Sequence, residues 1–301
     1  MDSELSHLHK LEQMLHTGNE DVIVINDKIL SKLKGNGFVA VVFDFDGVLL
    51  REIGFAEKGY AWLVRAIRDN NVDSTDINVM KEDVEFAKRF RHQIKGKSIG
   101  EKITIFRNKF GNSSSTIQSE LLVKGWYDFF KNYLISSFGR NPEEYCIPGA
   151  RHLLEASHKQ ISVYGLTANE HSHAKWLMKF VDLSQYFKEI IGYSSDLLKE
   201  ESKGSLLADL LNRNRISPDD SCYIGDGSSD VKAGIYAKTF TIGIANNEIP
   251  ISLVREQFEK TRIIEKAIRN GNELLKTGCD ILATSTMALN DIARYFGKMK
   301  M

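Results

Sequence analysis

The sequence has no run of about twenty apolar residues, so it offers no helix able to span a bilayer. Its opening residues, MDSELSHLHK, lack the apolar stretch of a secretory signal. Net charge is absent too, because forty Lys and Arg residues offset forty Asp and Glu. That balance argues against nucleic acid or a membrane surface as a partner. Cysteine is scarce. Cys146, Cys222 and Cys279 are odd in number, widely spaced and form no C-x-x-C, which fits buried thiols in a reducing cytoplasm. There is no internal repeat and no low-complexity tract; GNSSST, at 111–116, is short enough for an ordinary loop. No Gly-x-Gly-x-x-Gly turn follows the first apolar run, which removes a dinucleotide-binding oxidoreductase.

What is present is a long alternation. At 301 residues and 42% hydrophobic, the chain can bury one large core or two modest ones. Strands are predicted at Phe38–Phe45, Ile161–Leu166, Glu189–Tyr193, Ser221–Gly225, Thr239–Ala245 and Asp280–Thr284. Helical periodicity separates most of them, at Glu170–Val181, Lys203–Asn214, Ser229–Ala237 and Met287–Phe296. Short strands alternating with helices imply an α/β fold, a parallel sheet covered on both faces. Ligands of such sheets sit beyond the carboxyl ends of the strands.

One interval departs from this rhythm. Phe55–Asn70, Asp76–Gln93, Ile99–Phe110 and Ile117–Phe138 read as four amphipathic helices with no strand among them. This implies a helical cap over residues 51–140, inserted into a core of 38–50 and 141–301, with NPEEYCIPGA (Asn141–Ala150) as the return hinge. Residues 1–37 read as a helical extension, since Leu5, Leu8, Leu11 and Leu15 keep helical spacing. A charged helical pattern over about 247–275 reads as an insertion in the core whose surface, Ile251–Leu275, could join copies into a homo-oligomer.

The strand ends carry the chemistry. FVAVVFDFDGVLL runs from a buried strand into Asp44 and Asp46, which leave on the same side because side chains alternate. In a parallel sheet Asp226 and Asp230, from GDGSSD, reach the same edge. Two like charges about 4 Å apart repel by ~4 kcal/mol at an effective dielectric of ~20, so the cluster demands a cation. All-oxygen ligands favour Mg²⁺ over zinc. One carboxylate can then attack phosphorus while the other protonates the leaving oxygen and later activates water. Gly47 lets the backbone approach a phosphate, and Thr167 offers a hydroxyl. Lys203 opens a helix, where a cation opposes the helix dipole, and that broken rule marks it as the balancing charge; Lys199 is a weaker candidate.

These residues resemble the four motifs of the haloacid dehalogenase superfamily. Asp44-x-Asp46-Gly47-Val48 is similar to the first motif, ISVYGLT ending at Thr167 to the second, Lys203-Gly204 to the third, and Gly225-Asp226-Gly227-x-x-Asp230 to the fourth. The resemblance implies a Rossmann-like core with an inserted all-helical C1 cap, of the phosphoglycolate phosphatase and β-phosphoglucomutase type. It implies Asp44 as nucleophile, Asp46 as general acid and base, and Thr167 and Lys203 as phosphoryl ligands. Mg²⁺ would be held by the Asp44 carboxylate, the Asp46 carbonyl and Asp226, with Asp230 supporting through water. A small phosphorylated metabolite, such as a sugar phosphate, is the implied substrate. A phosphomutase uses the same motifs and stays open. A non-catalytic regulatory protein on this fold is the third reading, and the intact motif set argues against it. Leu49-Leu50-Arg51-Glu52 departs from the family pattern of Leu-x-Asp-Ser/Thr and puts substrate identity in question at Arg51.

Beside these sit plainer readings. Asn169 reads first as a helix cap and only second as a substrate ligand. Lys97, in an Ile94–Ser98 segment that resembles a substrate-reading cap loop, belongs to a basic run equally readable as a solvated face. His171 and His173 read as exposed helix histidines, and Trp62, Trp126 and Trp176 as packing.

Overall fold

The computed structural model describes residues 2–19, 21–34, 37–51, 55–78, 80–94, 99–111, 117–194, 202–246, 248 and 250–293. Lys97 and Lys199 therefore lie outside the described residues, as does Glu52. In chain order the elements are α1 (Asp2–Thr17), β1 (Val22–Val24), α2 (Asp27–Lys34), β2 (Ala40–Phe43), α3 (Phe55–Asp69), α4 (Lys81–Ile94), α5 (Ile99–Phe110) and α6 (Ser119–Phe138). Then come α7 (Ala150–His158), β3 (Ser162–Glu170), α8 (His171–Phe180), β4 (Glu189–Tyr193), α9 (Lys203–Arg213), β5 (Ser221–Gly225) and α10 (Ser228–Ala237). The chain closes with β6 (Phe240–Asn246), α11 (Gln257–Thr277), β7 (Ile281–Ser285) and α12 (Asn290–Ala293).

The strands form one sheet in the order β1-β7-β6-β5-β2-β3-β4, parallel except for the antiparallel edge pair of β1 with β7. This is the α/β fold that the alternation implies. The period of two along β2 sorts the two faces. Val41, Phe43 and Phe45 enter a core with α7 and α8, through Leu153, Leu154, Ala174 and Leu177. Ala40 and Val42 enter another, with Leu207 and Leu210 of α9 and Ala233 of α10. Even-numbered positions of β2 thus face α9 and α10, and Asp44 continues that series.

Four helices, α3 to α6, lie between β2 and β3 and close on their own cluster of Tyr60, Trp62, Leu63, Phe106, Leu122 and Phe129. The chain leaves the sheet at Leu50 and returns at Cys146, and the two crossings pair with each other: Leu50 bridges Cys146, Ile147 N–H donates to Leu49 O at 2.9 Å, and Arg51 N–H to Tyr145 O at 3.0 Å. Adjacent peptide bonds tie the two passages into one joint.

Three expectations need correction. The extension before residue 38 is not wholly helical, because Val22–Val24 pairs with Ile281–Ala283 at the sheet edge. The segment read as an insertion is the connection between the neighbouring strands β6 and β7. Its helix α11 buries Ile263, Ile264, Ala267 and Leu274 against the sheet side and against Leu11, Met14 and Leu15 of α1. Its charges misled because the exposed face pairs internally, Arg262 and Lys266 both on Glu248 at 2.7 Å. His173 is buried, not exposed. The cysteines are free and buried, and burial pushes the Cys146 and Cys279 thiols up to about 12.

Candidate active site

The carboxyl edge of the central strands gathers the charges. Asp44 follows β2 directly and is pinned by its N–H on Ile224 O at 2.9 Å, which fixes it beside β5. Past the end of β5 the chain turns through Asp226 and Gly227 into α10, which brings back Asp230. Oxygens of Asp44, Asp226 and Asp230, all buried, lie within 4.8 Å of one another. Lys203 enters from the first turn of α9 and bridges two of them, 2.8 Å from Asp44 Oδ2 and 2.6 Å from Asp230 Oδ1. Ser202 caps that helix by accepting from Ser205 N–H at 3.1 Å, so the lysine's backbone is held although its charge opposes the dipole.

Asp230 both caps a helix and serves the cluster. Its Oδ2 accepts from Gly227 N–H at 3.0 Å, while Oδ1 takes Lys203 and the Tyr223 hydroxyl at 3.2 Å. Gly47 has φ of +78°, and a Cβ there would drive into the Asp226 carboxylate, so only glycine fits this turn. Burial raises the Asp44 carboxyl well above its ordinary range, Lys203 opposes that, and Asp230 and Asp226 add to it. Burial works against the Lys203 ammonium, yet Asp230 and Asp44 hold its pKa well above normal.

Three carboxylates against one ammonium leave the cluster short of positive charge. An oxygen-only set this tight, in a turn that admits no side chain at Gly47, fits a hard divalent cation.

Asp46 stands apart from that trio. It is half-buried and accepts from Asn169 Nδ2 at 2.9 Å. Thr167 is buried, and its Oγ1 accepts from the N–H and the Nδ2 of Asn169, each at 3.2 Å. Asn169 is thus not the cap of α8. Glu170 is, accepting from Ser172 N–H at 2.9 Å and His173 N–H at 3.0 Å.

Above this edge lies a cavity of about 480 Å³. Asp44, Asp46, Thr167, Asn169, Lys203, Asp226 and Asp230 line its floor; Arg51, Tyr60, Lys102, Trp126, Tyr127 and Phe130 line the cap side. Arg51 is partly turned away: its Nη1 donates to Glu144 O at 3.1 Å, and Nε is buried without a partner. Gly47 does not line the cavity.

A model of the haloacid dehalogenase-like hydrolases matches residues 38–238. The chain belongs to that family. No curated protein sequence matches it, but solved structures share its architecture. A haloacid dehalogenase-like protein from Streptococcus pneumoniae aligns with a TM-score of 0.54 at 17% identity, over 84% of this chain and 96% of its own. CbbY from Rhodobacter sphaeroides, solved with phosphate, aligns at 0.57 and 15% identity, over 84% and 96%. A β-phosphoglucomutase from Clostridium difficile aligns at 0.53 and 18%, over 86% and 97%. Identities this low speak for the fold, which phosphatases and phosphomutases share.

Sequence reasoning passed over several residues of this haloacid dehalogenase-like site. Asn270 of α11 donates to the carbonyls of Asp226, Ile244 and Ala245 at 2.9, 3.0 and 3.1 Å, stapling the turn after β5 to the end of β6. Tyr127 accepts from Glu170 N–H at 2.9 Å, a cap ring reaching the core. Neither position carries a local sequence signal. His173 had one, an apolar helix face with Ala174 and Leu177, which outweighs its polarity.

Proposed function

We propose that this protein is a Mg²⁺-dependent phosphatase of small phosphorylated metabolites, working through an aspartyl-phosphate on Asp44. The observation that carries the reading is the division of the floor: Asp44 bound to Lys203 inside a cation-sized carboxylate cluster, and Asp46 held separately by Asn169.

In this scheme an Asp44 oxygen attacks phosphorus, and the bond from phosphorus to the ester oxygen breaks as Asp46 gives that oxygen a proton. Water then attacks the same phosphorus, Asp46 takes its proton, and the bond to Asp44 breaks to free phosphate and the carboxylate. Lys203 and Thr167 receive the phosphoryl oxygens; both oxygen contacts of Thr167 are acceptances, which leaves its O–H proton to donate. Asp44, Asp226, the Asp46 carbonyl and, through water, Asp230 would hold the metal. When bound, Mg²⁺ supplies the positive charge that keeps Asp44 ionised and offsets charge on the transferring group. The cap roofs the cavity and excludes bulk water.

Hydrolysis of p-nitrophenyl phosphate tests the reading. Asp44→Asn should lower turnover by at least ~10⁴-fold, the size expected for a lost nucleophile, and EDTA should abolish it. Full activity in either case overturns the mechanism.

A further inference from the structure

We propose that the phosphate monoester used at this site carries a flat aromatic or heteroaromatic ring in its leaving alcohol. This rests on the phosphatase reading above and narrows its substrate.

Every carboxylate that lines the cavity among the described residues belongs to the floor. Among the described residues, the cap side presents rings and cations instead: Tyr60, Trp126, Tyr127 and Phe130, with Arg51 and Lys102 as its charged groups. Sugar hydroxyls donate as well as accept, and carboxylates and amides are the side chains with the greatest capacity to accept from them. The described cap wall has neither. It suits a ring whose own substituents are acceptors or anions.

The rings are built into a wall. Tyr60 and Trp126 stack at 5.1 Å with planes 30° apart, and Trp126 lies 4.9 Å from Phe130. His173 continues the wall from the core, 4.5 Å from Tyr127 and 6.3 Å from Phe130. Gly59 allows this closeness, since a Cβ there would meet Phe130 at 2.5 Å and Trp126 at 2.9 Å. Tyr60, Trp126 and Tyr127 share one buried cap cluster with Trp62, Phe106 and Phe129, and Phe130 packs against it. Trp126 and Phe130 also line the cavity, so the part of this ring cluster that borders it offers an apolar aromatic surface suited to a planar partner. Lys102, 5.7 Å above the Tyr60 ring, sets a cation at the rim of the same wall. The volume of about 480 Å³ exceeds what a phosphoryl group needs and lies within the ordinary range for small-molecule sites.

The test compares kcat/KM for uridine 5′-monophosphate and pyridoxal 5′-phosphate with that for glucose 6-phosphate. A ring-bearing ester should be favoured by about tenfold or more, as one stacking contact provides. Trp126→Ala and the bulkier Trp126→Leu should each collapse that ratio to within about threefold. The two ring-bearing probes separate a nucleotide from a pyridine coenzyme. Equal or better use of glucose 6-phosphate, or a ratio that survives both substitutions, overturns the inference and leaves the phosphatase reading standing. Equilibrium binding to the Asp44→Asn protein separates the two claims. If the wild type hydrolyses nothing but this variant binds ring-bearing esters at least about tenfold tighter, hydrolysis falls and the ring preference stands. If it also shows no preference, both fall.

Discussion

The two walls of the cavity are built on opposite principles. The floor, at the carboxyl edge of β2 and β5, buries three carboxylates and an ammonium against one another, and each is placed by backbone: a strand register, a helix first turn, a capping N–H. The roof, from α3 and α6, places its rings by packing, with one hydrogen bond from the core, Glu170 N–H to the Tyr127 hydroxyl. Electrostatic order demands position to a fraction of an ångström and is sensitive to cations and pH. Hydrophobic order tolerates small shifts and responds to neither. The difference teaches that, under the proposed function, chemistry would fall to the backbone-placed sheet edge and the choice of substrate to the packed rings.

The largest effect should come from breaking each wall in its own way. Lys203→Met leaves Asp44 and Asp230 buried without their cation, and about 3–5 kcal/mol of stability should be lost at neutral pH. Phe106→Ala, in the cap interior, should lose a similar ~3–5 kcal/mol by leaving a void. Urea unfolding tells them apart. Mg²⁺ or mild acid should restore much of the Lys203 loss and none of the Phe106 loss. Equal responses would break the comparison.

A smaller effect sits where the walls meet. Burial, with Lys131 adding to it, holds His173 at about 3, below the ~6.5 of an unfolded imidazole. The unfolded chain therefore takes up a proton that the native chain refuses. Stability from this site is fully present above pH ~6.5 and drains as pH falls toward about 3, on the order of 1 kcal/mol per pH unit. His173→Phe should flatten unfolding free energy between pH 6 and 4 by that slope; an unchanged slope would count against a neutral buried imidazole.

The smallest is Asn270→Ala. Removing one amide that serves three carbonyls should cost about 1–2 kcal/mol. Because one of those carbonyls is that of Asp226, Mg²⁺ affinity should also fall by about tenfold, read by calorimetric titration. A stability loss with unaltered affinity would make Asn270 a packing residue only.

Much of this was legible beforehand, and for local reasons. The strands from Ala40 to Ser285 and the four cap helices follow from periodicity, which is a property of neighbours along the chain. Asp44, Lys203, Asp226 and Asp230 could be grouped because parallel strands deliver their ends to one edge. What escaped depended on partners remote in sequence. Val22–Val24 is too short to show as a strand until β7 lies beside it. The charges of α11 hid a helix that packs on the sheet, and Asn270 gains its role only from the turn below it. Asn169 is a good cap by residue type, but Glu170, one residue on, accepts the first N–H groups of α8 and leaves the Asn169 amide free to reach Asp46.

By itself, then, the sequence determined the alternation of strands and helices, the inserted helical block and the acidic residues at strand ends, since periodicity and alternation act over a few residues. Tertiary structure alone decided that Asp46 would part from the other carboxylates to join Asn169, that His173 would lose its charge, and that aromatic rings would roof an acidic floor. Burial and electrostatic balance are properties of surroundings, and those surroundings exist only once distant segments have closed around each side chain.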